Sequence, residues 1–122
     1  VCGSGNVDEF TVTGDTEVAE LSNGEVKTYT FSPEDAGLGR SRLVDLQGGD
    51  TPAESADILR DVLGGTEGTK RDMLLLNSGA ALYAAGKTPD IKAGVELAAA
   101  IIESGAASAK LEALIDFSQN GS

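Results

Sequence analysis

Apolar and polar residues follow two different periods along the chain, a period of two near the start and a helical period further on. Two runs of alternating residues, 16–21 and 25–31, are joined by Ser22-Asn23-Gly24. Asn-Gly between such runs is a strong signal for a β-hairpin, because both residues tolerate the positive φ angles of a tight turn. We therefore predict two short strands, with one face of the hairpin packed and the other wetter.

Several later segments have helical signals at their ends. Ser32-Pro33 begins a short helical turn that Gly37 or Gly39 ends, and Thr51-Pro52-Ala53-Glu54 combines a capping box with Pro at the first helical position. The helix begun by Thr51 runs to about Leu63. Thr88-Pro89 begins a further helix, which Gly105 interrupts, and a last helix covers 106–117. The residues expected to face inward from these three long helices are Ala56, Leu59, Val62, Leu63, Ile91, Val95, Ala98, Ile101, Ile102, Leu111, Leu114, Ile115 and Phe117.

The stretch 69–86, TKRDMLLLNSGAALYAAG, predicts a helix that is apolar on almost every side. Thr69 and Asp72 have the spacing of a capping pair, and Gly86 is a natural stop. A helix of this kind has to be buried. Gly79 lowers helix propensity by about 1 kcal/mol relative to Ala, and the close approach of a neighbouring backbone would be a reason for it.

Two arginines stand between the hairpin and the first long helix. We predict that Arg40 and Arg42 are surface residues or paired with carboxylates, since Arg is an ordinary surface residue as well as a good phosphate ligand. The residues that follow, Leu43, Val44 and Leu46, are expected to form a small apolar anchor.

Composition places the chain among globular proteins of one domain. It has 122 residues, 40% hydrophobic and 24% charged. The net charge of −11 makes electrostatic binding to nucleic acid or to an anionic membrane surface unfavourable, so we expect neither as a partner.

The cysteine and histidine counts exclude further classes of site. One Cys and no His leave no internal disulfide and no zinc site of the usual kind. We expect Cys2 to be a small buried residue at a strand end rather than a reactive thiol. There is neither a membrane-spanning run nor a signal pattern at the start, so the cytoplasm is the expected location. Since residues 1–3 look like the end of a strand, we expect the chain to be a fragment, a cleaved product or one module of a longer enzyme.

The candidate binding residues of the chain follow its first turn. Gly3-Ser4-Gly5-Asn6 follows the strand remnant, and Val7-Asp8-Glu9-Phe10 comes directly after it. The turn lacks the patterns of the known phosphate-binding loops. On composition alone, Asp8 and Glu9 would be one more solvated pair in a chain with twenty acidic residues.

Three stretches together resemble the C-terminal part of anthranilate phosphoribosyltransferase. They are RDMLLLNSGAALYAAG, GGDTPAESADILRDVLGG and VDEFTVTGDTEVAEL. The resemblance implies an α/β fold, here a few short strands with a hairpin followed by about four helices. Residues 1–122 would be the C-terminal portion of a glycosyltransferase family 3-type α/β domain.

The resemblance also implies a function. Members of the family are pentosyltransferases that transfer the phosphoribosyl group of phosphoribosyl pyrophosphate to anthranilate in tryptophan biosynthesis, and their small N-terminal domain forms a homodimer. An adjacent Asp-Glu pair in the family binds Mg²⁺, and it matches Asp8 and Glu9 here. Magnesium takes one or two carboxylates and keeps several waters, which suits such a pair.

The match has departures and alternatives. The family usually has His where Cys2 stands and often Gly where Asn6 stands, which affects the turn before the carboxylates. Its glycine-rich phosphate loop and its anthranilate contacts belong to earlier segments, so this chain alone is expected to be inactive. The alternatives are a non-catalytic interaction module that kept the fold, and a pyrimidine nucleoside phosphorylase relative.

Overall fold

A computed structural model describes residues 1–121 and shows a small antiparallel sheet followed by four helices. The strands β1 (Cys2–Gly3), β2 (Thr16–Ser22) and β3 (Glu25–Phe31) pair in that order. The helices are α1 (Pro52–Leu63), α2 (Thr69–Ala84), α3 (Ile91–Glu103) and α4 (Ala106–Asn120). Short 3₁₀ helices cover Pro33–Ala36 and Leu43–Leu46. The predicted architecture of short strands with a hairpin followed by four helices is confirmed.

The hairpin forms where the Asn-Gly signal predicts it. Asn23 and Gly24 have φ angles of 52° and 81°, so both turn residues are left-handed as a tight hairpin turn requires. On the packed face, Thr16 and Val18 of β2 are buried. Val26 of β3 is 66% exposed, so the hairpin has one packed face and one wetter face, as expected.

Helix α2 has the fewest exposed residues of the four helices. Leu75, Leu76 and Gly79 are buried, and no residue between 69 and 80 is exposed. The predicted capping pair is wrong, because Gly68 is the N-cap residue and Thr69 already lies inside the first turn. The predicted stop is confirmed, since Gly86 takes a left-handed φ of 71° just after the helix.

Helices α2 and α3 cross at two glycines. A Cβ on Gly79 would lie 2.6 Å from the backbone N of Val95 and 2.9 Å from the carbonyl carbon of Gly94. The close backbone approach expected at Gly79 is thus confirmed. Together with the sheet, these two helices enclose the core, whose buried hydrophobic residues are Phe10, Val12, Val18, Ala36, Leu75, Leu76, Ile91, Val95, Ala98 and Ile102.

Burial was overestimated at the edges of the helical layer. The inward positions predicted for Leu59 of α1, Ile101 of α3, and Leu114 and Phe117 of α4 are wrong, since these residues are 38–66% exposed. The apolar anchor is also wrong for Leu43 and Val44, each 61% exposed. Periodicity identifies an apolar face, but it does not show whether another element covers that face.

Two helix boundaries also differ from the predicted ones. Helix α3 begins at Ile91 rather than at Thr88, because the Asp90 carboxylate accepts a hydrogen bond from the Ala93 N–H at 2.7 Å and caps it. Helix α4 continues past Phe117 to Asn120. Within residues 1–121 no helix combines the length and the apolar composition needed to cross a bilayer.

Candidate functional site

Asp8 and Glu9 lie in the loop that joins β1 to β2. Both residues are exposed. Within residues 1–121 neither carboxylate forms an ion pair with a basic side chain. Their oxygens therefore face solvent and are free to bind a ligand from outside the chain.

The turn before the carboxylates is closed by a pair of backbone hydrogen bonds. The Gly3 N–H donates to the Val7 carbonyl at 2.7 Å, and the Val7 N–H donates back to the Gly3 carbonyl at 3.3 Å. Between them, Gly5 and Asn6 have φ angles of 78° and 63°. Asn tolerates this left-handed conformation better than most residues, so the turn can keep its shape with Asn at a position where Gly is common.

Strand β1, just before the turn, consists of Cys2 and Gly3. The structure requires glycine at the second of these positions and differs from the expectation for the first. A Cβ on Gly3 would lie 2.8 Å from the Glu9 carbonyl oxygen, so only glycine lets the loop fold back this closely. Cys2 was expected to be buried, and this is wrong because it is exposed. Its side chain alternates to the outer face of the strand while Gly3 lies inward.

A threonine network orders the loop after the carboxylates. Thr11 and Thr16 are fully buried, and the Thr11 N–H donates to the Thr16 hydroxyl at 3.1 Å. The Thr11 hydroxyl accepts a hydrogen bond from the Thr13 N–H at 3.1 Å. Buried polar groups need such partners, so the segment is fixed rather than free to move.

Phe10, the residue after Glu9, attaches the loop to the core and to α2. Its ring packs edge-on against the ring of Phe31, with 5.6 Å between centroids. Its N–H donates to the Asn77 side-chain oxygen at 3.0 Å, and its carbonyl accepts from the Asn77 amide at 2.9 Å. The sequence pattern assigns Asn77 no role of its own. The only local signal is a polar side chain within an apolar helix.

The donor set at Asp8 and Glu9 fits magnesium. Within the part of the chain described, no group of three or more potential ligand side chains comes together, so a fully enclosed protein site is not formed. Two adjacent exposed carboxylates match the usual way proteins hold Mg²⁺, with waters and substrate phosphates as the other ligands. The resemblance rather than the composition singles out this pair.

The arginines are paired with carboxylates, as predicted. Arg40 bridges Asp15 and Glu34, with 2.8 Å to the Glu34 oxygen, and Arg42 pairs with Asp45 at 2.9 Å. The Arg40 guanidinium lowers the pKa of Glu34. The pair of Arg40 with Asp15 joins the loop after the carboxylates to the segment that follows the hairpin.

Glu20 of β2 binds both tyrosines of the chain, Tyr29 within the hairpin and Tyr83 on α2. It accepts hydrogen bonds from the Tyr29 hydroxyl at 3.0 Å and from the Tyr83 hydroxyl. The hydrogen bonds from Tyr83 and Tyr29 lower the pKa of Glu20. Burial, followed by the hydrogen bond to Glu20, raises the pKa of Tyr29 to about 12, and the hydrogen bond to Glu20 raises the pKa of Tyr83.

This cluster predicts an unusual tyrosine titration. The folded chain, which has two tyrosines and no Trp, should show phenolate absorbance only above the ordinary tyrosine pKa of about 10, with Tyr29 near 12. Its stability should fall as pH rises towards the raised tyrosine pKa values, and at the acid end as pH falls through the lowered pKa of Glu20. Glu20→Gln should lower both tyrosine pKa values, because the hydrogen bond to the Glu20 carboxylate contributes to raising each of them.

Glu17→Gln is the matched control for this titration. Glu17 lies on the same strand but is exposed, and among residues 1–121 its carboxylate accepts a side-chain hydrogen bond from Thr30 alone. The control should leave both tyrosine pKa values unchanged. If both tyrosines of the unaltered chain titrate at the ordinary tyrosine pKa of about 10, the hydrogen bonds to Glu20 are not formed as the structure shows.

Comparison with known proteins identifies what the chain is similar to. Residues 1–108 match the family described as "Glycosyl transferase family, a/b domain". An anthranilate phosphoribosyltransferase from Desulfotalea psychrophila is 50% identical over 117 residues, which is 96% of this chain and 34% of that protein.

Solved structures agree with this match. The crystal structure of anthranilate phosphoribosyltransferase from Thermus thermophilus superimposes with a TM-score of 0.83 at 39% identity, covering 93% of this chain and 33% of that one. The enzyme from Saccharomyces cerevisiae in complex with PRPP and Mg superimposes with a TM-score of 0.81 at 27% identity, covering 94% of this chain and 34% of that one. The chain thus spans about a third of the length of the relatives it matches.

Proposed function

The chain belongs to the glycosyl transferase family whose a/b domain its residues 1–108 match, and we propose that it is the C-terminal part of an anthranilate phosphoribosyltransferase. The observation that carries the proposal is 50% identity to such an enzyme over 96% of the chain. Residues 1–122 are then the C-terminal portion of a glycosyltransferase family 3-type α/β domain.

The proposed reaction is a pentosyl transfer in tryptophan biosynthesis. The anthranilate amine forms a bond to the anomeric carbon of phosphoribosyl pyrophosphate as the bond from that carbon to the pyrophosphate oxygen breaks. Pyrophosphate leaves with the bonding electrons, and the amine loses a proton. We propose that this chain contributes only within the complete protein, a cytoplasmic homodimer to which the N-terminal part adds the remaining substrate contacts.

Asp8 and Glu9 are the proposed magnesium-binding residues. Two exposed carboxylates near a pyrophosphate would repel it, so they favour the leaving group only through a cation that they hold. When bound, Mg²⁺ would neutralise the charge that develops on the pyrophosphate. The closed turn at Gly3 and Val7 and the attachment of Phe10 keep both carboxylates on one short, ordered segment.

The test uses the complete protein, with Asp8→Asn and Glu9→Gln combined. The unaltered protein is expected to consume anthranilate in the presence of phosphoribosyl pyrophosphate and Mg²⁺. The loss of anthranilate fluorescence measures this consumption. The double variant should need at least about ten-fold more Mg²⁺ for half-maximal rate, since carboxylates are the ligands that Mg²⁺ prefers.

A matched control removes the same charge elsewhere. Glu25 and Asp57 are exposed, and neither forms an ion pair within residues 1–121. Combined Glu25→Gln and Asp57→Asn should leave the magnesium requirement unchanged. An unchanged requirement in the Asp8 and Glu9 variant would refute the metal assignment. No anthranilate consumption by the unaltered complete protein would refute the proposed function itself.

A further inference from the structure

One side chain of α2 holds both backbone polar groups of a residue distant in sequence. The Asn77 amide accepts from the Phe10 N–H at 3.0 Å and donates to the Phe10 carbonyl at 2.9 Å, across 67 positions of the chain. Its second amide hydrogen is donated to the Met73 carbonyl, one turn earlier in α2, at 3.1 Å. The side chain thus binds the Phe10 backbone much as a neighbouring β-strand would.

Only a side chain with the donors and acceptor of Asn suits this position. The amide has one oxygen and two N–H groups, and all three bond here. Leu has a similar size but offers none of these groups. Phe10 is 6% exposed, so its N–H and carbonyl would lose their partner in a site that water reaches poorly.

The contact acts directly on Glu9, because a peptide unit is planar. The Glu9 Cα, the Glu9 carbonyl and the Phe10 N–H lie in one plane, so holding the Phe10 N–H fixes the orientation of that plane. The other edge of the same plane is close to Gly3, where a Cβ would lie 2.8 Å from the Glu9 carbonyl oxygen. The orientation of the peptide unit that follows the Glu9 Cα is therefore determined by contacts at both of its edges, with Asn77 and with Gly3.

Asp8 lies between two fixed points. Before it, Val7 is paired with Gly3 through two backbone hydrogen bonds, and after Glu9, Phe10 is paired with Asn77. Only two residues separate these points, and they are the two carboxylates. The pairing with Gly3 is local in sequence, whereas Asn77 alone connects this segment to α2 by side-chain hydrogen bonds among residues 1–121.

We propose that Asn77 is a positioning residue for the metal-binding carboxylates, which it aligns by holding the Phe10 backbone. It does not touch the metal or the substrate. The proposal rests on the proposed function, because it requires that Asp8 and Glu9 bind the cation. Residues that orient metal ligands typically change metal affinity 10–100-fold when they are lost.

The test measures metal binding without turnover in the complete protein. Mn²⁺ prefers the same oxygen ligands as Mg²⁺, and its binding with phosphoribosyl pyrophosphate present can be followed by electron paramagnetic resonance of the free ion. Asn77→Leu should weaken Mn²⁺ binding by about ten-fold. Asn77→Ser, which is too short to hold both groups of Phe10, is the second variant if the first does not fold, with the same expected loss.

A stability control separates positioning from general loosening. Asp90→Ala removes the cap of α3, where the carboxylate accepts from the Ala93 N–H at 2.7 Å, and should lower the melting temperature without changing Mn²⁺ affinity. Deuterium uptake at the Phe10 amide should increase in Asn77→Leu and not in Asp90→Ala. Mn²⁺ affinity is the deciding measurement, since a purely structural role for Asn77 would leave it no lower than in the control.

The outcomes distinguish the two proposals. If the Asp8→Asn, Glu9→Gln protein loses Mn²⁺ affinity and Asn77→Leu does not, the positioning role is wrong and the metal assignment stands. If neither variant loses affinity, the metal assignment is wrong and the positioning role falls with it. Loss in both variants, with unchanged affinity in Asp90→Ala, supports both.

Discussion

Replacing Gly94 with alanine is expected to destabilise the protein by about 3 kcal/mol, at the upper end of the cost of overpacking a core. The new methyl group would collide with the Gly79 carbonyl oxygen and lie 2.8 Å from its carbonyl carbon and 2.9 Å from its Cα. All three are backbone atoms of another helix. No side chain can rotate away, so α2 and α3 would have to move apart.

The sign of this effect is opposite to that of an ordinary change from glycine to alanine. In an exposed helix the substitution gains about 1 kcal/mol, because alanine is the better helix former. At Gly94 this gain is smaller than the cost of separating two helices at their closest point. Denaturant unfolding followed by circular dichroism measures the difference.

Gly39→Ala is the matched control for this experiment. No atom outside its immediate neighbours lies within 4 Å of a Cβ at Gly39, and its φ is not in the left-handed region. Stability there should be unchanged or slightly increased, since alanine restricts the unfolded chain more than glycine does. If the Gly94→Ala protein is as stable as the unaltered one, the backbones of α2 and α3 are further apart at Gly79 and Gly94 than the structure shows.

The crossing at Gly79 and Gly94 also bears on the candidate site. Asn77 precedes Gly79 by two residues on α2, so the position of the Asn77 amide depends on how α2 rests against α3. A displacement of α2 by a fraction of a hydrogen-bond length would weaken the bonds to Phe10. The glycines at the crossing thus determine how close α2 lies to α3, and through this the position of α2 relative to the loop of Asp8 and Glu9.

Local signals predicted most of the elements of the fold. The hairpin turn at Asn23-Gly24 and the start of α1 at the capping box of Thr51 were both predicted correctly. Each depends only on the conformation of a few adjacent residues. The capping pair at Thr69 failed because Gly68 takes the N-cap position, and the pattern of polar residues alone does not distinguish neighbouring positions. Contacts between distant residues, such as Asn77 with Phe10, leave no local pattern.

Side-chain burial was predicted less well than the elements. An apolar groove of about 400 Å³ lies between α2, α3 and the start of α4, and its lining includes Leu74, Ile101 and Ala107. Leu114 and Phe117 further along α4 are 61% and 66% exposed. Their spacing shows an apolar face, but whether a face is covered depends on neighbours that periodicity does not specify.

The candidate metal residues depended on resemblance rather than on physical pattern. Twenty acidic residues make an Asp-Glu pair unremarkable by composition, and nothing in the sequence states that Val7 and Phe10 are both held. The structure adds that these two carboxylates occupy the short span between two fixed points. That feature distinguishes them from an exposed residue such as Asp57 in the middle of α1.

Leu76→Ala should cost about 2–5 kcal/mol, because Leu76 is fully buried and its loss leaves a cavity in the core. A domain of this kind has a total stability of about 5–15 kcal/mol, so the variant is expected to be largely destabilised. Leu114→Ala removes the same atoms from a side chain that is 61% exposed and should change stability by no more than about 0.5 kcal/mol. Urea unfolding of the two variants compares them directly. Equal losses would mean that the core does not centre on α2, and the placement of Asn77 beside Phe10 would lose its support.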